Sequence, residues 1–150
     1  MSGTAGNEQG YTAPDLSLFG EEHVRRYLET DGAVGHEWSG VHTLLLATTG
    51  RTSGRPRISP MIYGHDGANY VVIASQGGAP SHPSWYLNLA ADPSVEVQVG
   101  SQRFAANASA AEGSERDRLW KLMTNIWPNF DVYQKRTDRR IPVVVLRPTL

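Results

Sequence analysis

Short apolar segments joined by tight turns are the feature that most constrains the fold of this 150-residue chain. Runs of β-branched, aromatic or alternating apolar residues predict strands at 41–49, 57–65, 70–75, 95–99, 103–110 and 143–146. Residues 50–56 link the first two strands, and Asp66 with Gly67 is a two-residue hairpin signal. Parallel strands need a crossover of about a dozen residues, so links this short predict a mostly antiparallel sheet.

Helical spacing of apolar residues accompanies these strands. It predicts helices at 17–31 and 115–126, the second with Ser114 as its candidate cap. A short helix is also indicated around Trp85, ending near the Asp92-Pro93 pair. Strands joined by tight turns, with a few short helices, predict an α+β fold built on a small β-barrel.

The first 14 residues differ in composition from the rest of the chain. They are polar and rich in Gly, Ser and Thr, so they have too little apolar surface to offset the entropy of ordering them. We therefore predict a flexible arm at 1–14 and a single barrel domain at 15–150. The arm lacks the features of a signal peptide, and no later stretch approaches the ~20 apolar residues that cross a bilayer. A cytoplasmic location is the expectation.

Charge and cysteine content exclude several classes of function. The chain has 14 basic and 15 acidic residues, a net charge of −1, so it lacks the general cationic field of nucleic-acid binders. It has no cysteine, which excludes disulfides, thiolate nucleophiles and cysteine-ligated metals. The five histidines show no metal-ligand spacing, and there is no G-x-S-x-G motif. We predict neither a nucleic-acid partner nor a metal site.

The loop after the first strand is the most informative segment for chemistry. Residues 49–57 contain three arginines, with hydroxyl side chains at Thr52 and Ser53 and two glycines. Guanidinium forks, hydroxyl donors and a flexible backbone can bind a phosphate or another anion. The spacing of a Walker loop is missing. From these residues alone, a solvated hairpin loop with its arginines in water is the simpler interpretation.

Three other segments could border a flat ligand. The sequence SQGG at 75–78 follows a strand directly, where its glycines would allow close approach of the backbone. HPSWYLN at 82–88 places aromatic rings beside polar groups, and Trp127, Phe130 and Tyr133 share one helical face. A plain turn and ordinary core packing explain these patterns as well.

Taken together, four segments resemble the deazaflavin-dependent nitroreductase family in order and spacing. They are TTGRTSGRPR at 48–57, ASQGG at 74–78, HPSWYLNL at 82–89 and WPNFDVYQKRTDRRIPVVVL at 127–146. The resemblance covers nearly the whole chain after residue 15. It implies a split β-barrel, related in shape to FMN-binding pyridoxamine phosphate oxidases, that binds coenzyme F-420, an 8-hydroxy-5-deazaflavin with an acidic phospholactyl-polyglutamate tail. The implied activity is hydride transfer from the reduced coenzyme to an apolar quinone, enone or nitro compound.

The resemblance also implies roles for individual residues. The residues that hold the acidic tail are Arg51, Thr52, Ser53, Arg55 and Arg57. Those along the ring system and its polar edge are Pro60, Met61, Ile62, Ala74, Ser75 and Gln76, and the cofactor side is completed by Trp85, Tyr86 and Asn88. The substrate side is formed by Trp127, Phe130 and Tyr133. Catalytic protonation comes from Tyr133, Ser75 or water.

The chain departs from the family pattern at three positions. Thr52 and Gln76 stand where family members often carry lysine, so the hold on the tail relies more on arginines and neutral donors. Phe130 stands where nitroimidazole-reducing members have a tyrosine that is a candidate proton donor. We therefore predict weak or absent reduction of bulky nitroimidazoles.

Two other functions remain open at this point. One is an FMN-dependent oxidoreductase on the same barrel, and the other is a deazaflavin carrier or sensor without catalysis. The expected partner is a small-molecule substrate. A homodimer is possible because related barrels often pair, and a quinone substrate would allow peripheral contact with a membrane.

Overall fold

The computed structural model describes residues 11–14 and 17–149. Within them the strands are β1 (Glu37–Trp38), β2 (Val41–Thr49), β3 (Pro56–Ile62), β4 (Gly64–Asp66), β5 (Asn69–Ile73), β6 (Ser94–Val99), β7 (Gln102–Ala110) and β8 (Val143–Pro148). The helices are α1 (Gly20–Thr30), α2 (Ser84–Ala91), α3 (Gly113–Ile126) and α4 (Asn129–Lys135). A short 3-10 turn covers Gln76–Gly78.

The strands form one curled antiparallel sheet. Its order is β1-β2-β6-β7-β8-β5-β4, and β3 pairs with β2 outside this path. The long strand β2 lies between two partners, since Leu46 is opposite Ser59 of β3 and opposite Val97 of β6. Every pairing among the described strands is antiparallel. The predicted α+β split β-barrel is confirmed.

Apolar side chains cover both faces of the sheet. Alternate residues of β5 and β8 point to opposite sides, so Val72 and Val144 join one buried cluster while Val71 and Val145 join another. Helix α3 packs on the second face through Leu119 and Met123, which are fully buried. The predicted continuous burial of β8 is confirmed, since Val143 through Leu146 are all buried. This packing fixes α3 and the following α4 against one side of the sheet.

Most predicted elements are present, with changes at their ends. The predicted strand 57–65 divides at Tyr63 into β3 and β4. Asp66 pairs with Asn69, so the hairpin loop is one residue later than predicted, and of its two residues only Gly67 has positive φ, at 63°. The cap of α3 is Glu112 and not Ser114. Strand β1 was not predicted, because two residues are too few to show a period.

The predicted arm at 1–14 is described only in its last part. Residues 1–10 lie outside the described residues, whereas residues 11–14 pack against α4 through two hydrogen bonds between Thr12 and Asn129. The buried side chain of Asn129 thus satisfies both main-chain groups of Thr12, and the flexibility of the arm stays a prediction. Sequence composition cannot show such a distant partner.

Candidate functional site

A polar cavity of about 730 Å³ lies between the arginine-rich loop, the first half of β3 and the start of α2. Its polar and charged lining residues are Arg51, Thr52, Ser53, Arg57, Ser59, Ser84 and Asn88. The described lining contains two guanidinium groups and no carboxylate. Because these cations are not neutralised within the cavity, the surface favours an anionic ligand.

Asn88 connects this loop to α2. Its Oδ1 atom accepts hydrogen bonds from the main-chain N–H of Arg51 at 3.1 Å and from the Arg51 guanidinium at 2.8 Å. Its Nδ2 atom donates to the hydroxyl of Thr48 at 3.2 Å. Asn88 is only 3% exposed, so its polar atoms are occupied by the protein itself. Its contribution is to hold the loop over the cavity.

A second, mostly apolar cavity of about 540 Å³ continues along β3. Pro60, Met61 and Ile62 line it from the strand. From α3–α4 and the loop after β5, its lining includes Trp127, Phe130, Tyr133, Ser75, Gln76 and Gly77. Trp85 lines both cavities. The two are therefore adjoining parts of one groove, with cations at one end and aromatic rings at the other.

The loop after β5 has an unusual backbone. Gln76, Gly77 and Gly78 have positive φ values of 46°, 63° and 83°. At Gly78 there is also no space for a side chain, since a Cβ would lie 2.5 Å from the carbonyl oxygen of Tyr133 and 2.9 Å from Cβ of Arg136. Non-glycine residues rarely adopt such φ values unless the surroundings hold them there.

Arg139 is the main residue that holds this loop. Its guanidinium donates to the carbonyl oxygens of Ala79 at 2.7 Å, of Ala74 at 3.1 Å and of Ser75 at 2.5 Å. It also contacts Nδ1 of His82 at 3.0 Å. Burial lowers the pKa of His82, and the charge of Arg139 lowers it further, so the ring is neutral and accepts from the guanidinium. One planar cation thus ties both ends of the loop together.

Of the hydroxyl-bearing residues that line the apolar cavity, Tyr133 and Ser75 are the candidate proton donors. The Tyr133 hydroxyl accepts the indole N–H of Trp127 at 3.4 Å, which leaves its own proton for a group in the cavity. Ser75 is 8% exposed and lies at the start of the 3-10 turn. Phe130 is 4% exposed, and its ring centre lies 6.1 Å from that of Tyr133 in an edge-on arrangement. Its ring belongs to the core and also lines the cavity.

The structure brings most of the predicted site residues together and separates three. Arg55 is exposed and lines neither cavity. Ala74 is fully buried and contributes its carbonyl to Arg139. Tyr86 borders a third cavity of about 300 Å³, beside His82.

The sequence did not predict the wall of the apolar cavity that residues from the N-terminal quarter of the chain form. That wall consists of Tyr11, Ala13, Pro14, Phe19, Gly20, His23 and Trp38. The rings of Phe19, Trp38 and Trp127 follow one another at centroid distances of 6.4 and 5.9 Å. His23 is fixed by the carbonyl of Gly35 at 2.8 Å. Phe19 and His23 lie in the helix predicted at 17–31, and their spacing alone gave no signal that this helix borders a cavity.

Comparison with known proteins decides the family. The family model described as F420H(2)-dependent quinone reductase matches residues 19–148. The chain belongs to this family. Its F420H(2)-dependent quinone reductase relative from Mycobacterium tuberculosis is 42% identical over 145 residues, covering 88% of this chain and 97% of the relative. The resemblance found in the sequence is confirmed, and the family that matches is named for quinones, one of the expected acceptors, and not as a nitroreductase family.

Solved structures agree with this family membership. The F420-H2 dependent reductase FDR-A is 40% identical, with a TM-score of 0.66, and the match covers 70% of this chain and 93% of FDR-A. A structure described as a domain-swapped dimer is 38% identical with a TM-score of 0.69, covering 84% of this chain and 95% of that one. None of the helices in the described residues has the length and apolar character needed to pass through a bilayer.

Proposed function

We propose that this F420H(2)-dependent quinone reductase family member binds reduced coenzyme F-420 in the groove along β3 and reduces a quinone or similar apolar acceptor. The observation that carries the proposal is the junction of the two cavities at Trp85. A cationic cavity beside an aromatic one matches a ligand with an acidic tail and a planar ring. The quinone reductases among its relatives support the same chemistry.

The residues present fit the coenzyme. Arg51 and Arg57 supply charged donors to a tail that bears phosphate and carboxylates, and Thr52 and Ser53 add neutral donors. A volume of about 730 Å³ leaves room for more than one phosphate group. FMN, which ends in a single phosphate, would use only part of this cavity. The polar cavity therefore favours the deazaflavin over FMN.

The bound coenzyme supplies a two-electron hydride, and the protein supplies geometry and a proton. The apolar residues of β3 hold the ring position, and the aromatic walls exclude water from the cavity. The loop held by Arg139 presents Ser75 and Gln76 to a polar ring edge. Tyr133 lies on the opposite wall, where it can protonate an acceptor that has received the hydride.

The acceptor side favours flat, mostly apolar compounds. Its described lining is mainly aromatic and aliphatic, and the guanidinium of Arg136 in that lining contacts the Gly77 carbonyl and the rings of Tyr11 and Tyr133. Since Phe130 has no hydroxyl to donate, bicyclic nitroimidazoles are expected to react weakly or not at all. Substantial turnover of such a compound would contradict this proposal for the acceptor side.

One experiment tests the coenzyme and its binding mode together. Titration of coenzyme F-420 is followed by quenching of tryptophan fluorescence in the wild type and in Arg51→Ala, Arg57→Ala and Arg55→Ala. Loss of one charged hydrogen bond should weaken binding by about tenfold in the first two variants. Arg55→Ala is the matched control, since Arg55 belongs to the same loop but lines neither cavity. Tight FMN binding without F-420 binding would contradict the proposal.

Catalysis is tested by mixing the protein with the reduced coenzyme and a panel of quinones and enones. Reoxidation of the coenzyme supports a reductase. Tight binding without reoxidation by any acceptor would instead favour a coenzyme carrier. Removing the tail gives a further control, because 8-hydroxy-5-deazariboflavin should bind equally to the wild type and to Arg57→Ala.

We also propose a homodimer, on the basis of the 38% identical structure described as a domain-swapped dimer. A cytoplasmic enzyme that touches a membrane only to collect a quinone is the arrangement we infer from the absence, in the described residues, of a membrane-spanning helix. Analytical ultracentrifugation and flotation with lipid vesicles test these two points separately.

A further inference from the structure

A short main-chain segment closes one side of the apolar cavity. In residues 11–14, the side chains that line the cavity are those of Tyr11, Ala13 and Pro14. Thr12 is not part of the lining, and its side chain is exposed. The segment therefore acts through its backbone position and its other side chains.

Asn129, the first residue of α4, holds this segment. Its Oδ1 atom accepts the main-chain N–H of Thr12 at 2.8 Å, and its Nδ2 atom donates to the main-chain carbonyl of Thr12 at 2.5 Å. One amide side chain thus satisfies both the main-chain N–H and the main-chain carbonyl of Thr12, as a neighbouring β-strand would. Asn129 is only 2% exposed, and loss of this pair would leave buried polar atoms without partners.

A second contact joins the segment to the candidate proton donor. The Arg136 guanidinium lies 5.1 Å from the ring centre of Tyr11 and 5.4 Å from that of Tyr133. A cation shared by two aromatic faces favours both ring positions. Residues 11–14 are therefore tied to α4 at its first residue and again two turns later.

We propose that Asn129 is a positioning residue that holds residues 11–14 as a wall of the acceptor cavity and thereby sets the affinity for the acceptor. That the acceptor is a quinone rests on the proposed function. That residues 11–14 form a wall of the cavity rests on the structure alone. Because the segment lines only the aromatic cavity, its release leaves intact the cationic cavity, which is the proposed site of the coenzyme tail.

The test compares three variants of the full chain. Asn129→Ala removes both bonds, and Thr12→Pro removes only the N–H that Asn129 accepts. Thr12→Ala is the matched control, since it keeps both main-chain groups. The probe is 2-methyl-1,4-naphthoquinone, whose Kd is read from quenching of Trp38 and Trp127, and whose KM and kcat are read from coenzyme reoxidation. Hydrogen exchange at the Thr12 amide reports whether the segment is held.

We expect Asn129→Ala and Thr12→Pro to raise the Kd and KM for the naphthoquinone about fivefold, with kcat within about twofold. The Kd for F-420 should change by less, because the proposed tail site is not part of this wall. Thr12→Ala should behave as the wild type, and exchange at Thr12 should be faster in Asn129→Ala. Equal quinone affinity in Thr12→Pro and Thr12→Ala, or unchanged exchange, would overturn the proposal. If no quinone is reduced, the proposed function fails, while quinone Kd and amide exchange still decide whether Asn129 holds the wall.

Discussion

Asn88 accepts hydrogen bonds from the main chain and from the side chain of Arg51 with the same oxygen atom. The arginine-rich loop is thereby fixed to α2, and both the backbone and the guanidinium of Arg51 are held at the edge of the cavity. We therefore expect the affinity for an acidic ligand in this groove to depend on a residue that carries no charge.

Replacing Asn88 by alanine tests this dependence. Arg51 would lose both contacts, so we expect the Kd for F-420 to rise about tenfold and the protein to lose about 1–3 kcal/mol of stability. Thr48→Val is the control, because it removes the acceptor of Asn88 Nδ2 but keeps both contacts to Arg51. Stability should fall in both variants, and coenzyme affinity only in Asn88→Ala. Equal coenzyme affinities would show that Asn88 does not position the loop.

Tyr133→Phe tests the source of the proton. If Tyr133 protonates the acceptor, kcat should fall by about 100-fold, with little change in the Kd for the coenzyme. Ser75→Ala provides the comparison, because Ser75 is the other candidate donor in the cavity lining. Rates are measured by stopped-flow reoxidation in water and in deuterium oxide. Retention of kcat in both variants would exclude both hydroxyls as the proton source and leave water or Tyr11, which also lines the cavity.

Arg139→Gln tests whether one cation organises the loop after β5. We expect weaker coenzyme binding and a lower melting temperature, because three carbonyl oxygens lose a charged donor. Arg139→Lys should not restore binding, since an ammonium cannot reproduce the planar fork. Arg140→Gln is the control at the exposed neighbouring position. Full coenzyme affinity in Arg139→Lys would contradict this geometric role.

His36 gives the stability a specific dependence on pH. Burial lowers its pKa, the nearby His42 lowers it further, and Glu37 opposes the shift. The unfolded chain, with a histidine pKa of about 6.5, binds more protons than the folded protein just below that pH. Stability should therefore fall as pH decreases from about 6.5 towards the pKa of folded His36.

Urea unfolding at pH 7.5 and 5.0 measures this effect. His36→Gln should reduce the loss of stability on acidification. His42→Gln should reduce it by less, because the ring stacked on His36 is removed while burial of His36 remains. An identical loss in the wild type and in His36→Gln would assign the acid sensitivity to other groups.

The sequence predicts the sheet well because its signal is local. The alternation in β6 and the continuous apolar run of β8 each report burial directly, and the short links that follow β2, β4 and β6 exclude a parallel arrangement of the strands that they join. The helix at 115–126 is likewise found within two residues of its start. These features depend on neighbours in the chain, so one sequence is sufficient to find them.

The site is only partly predictable because its remaining contacts are distant in sequence. The partners of Asn88, Arg139 and Asn129 lie 37, 65 and 117 residues away. Each of these polar side chains fits an ordinary exposed position when the sequence is considered alone. Spacing in the chain gives no indication of which buried amide or guanidinium holds which loop.

The close approach at Gly78 links two properties of the enzyme that could otherwise vary separately. The helix that bears Phe130 and Tyr133 lies against this glycine with no room for a single additional carbon atom. We therefore expect substitutions that shift the end of this helix, including those chosen to broaden the acceptor range, to move the loop at 74–82 and to change the affinity for the coenzyme. Selection for new acceptors should recover second-site changes between residues 74 and 82 that compensate.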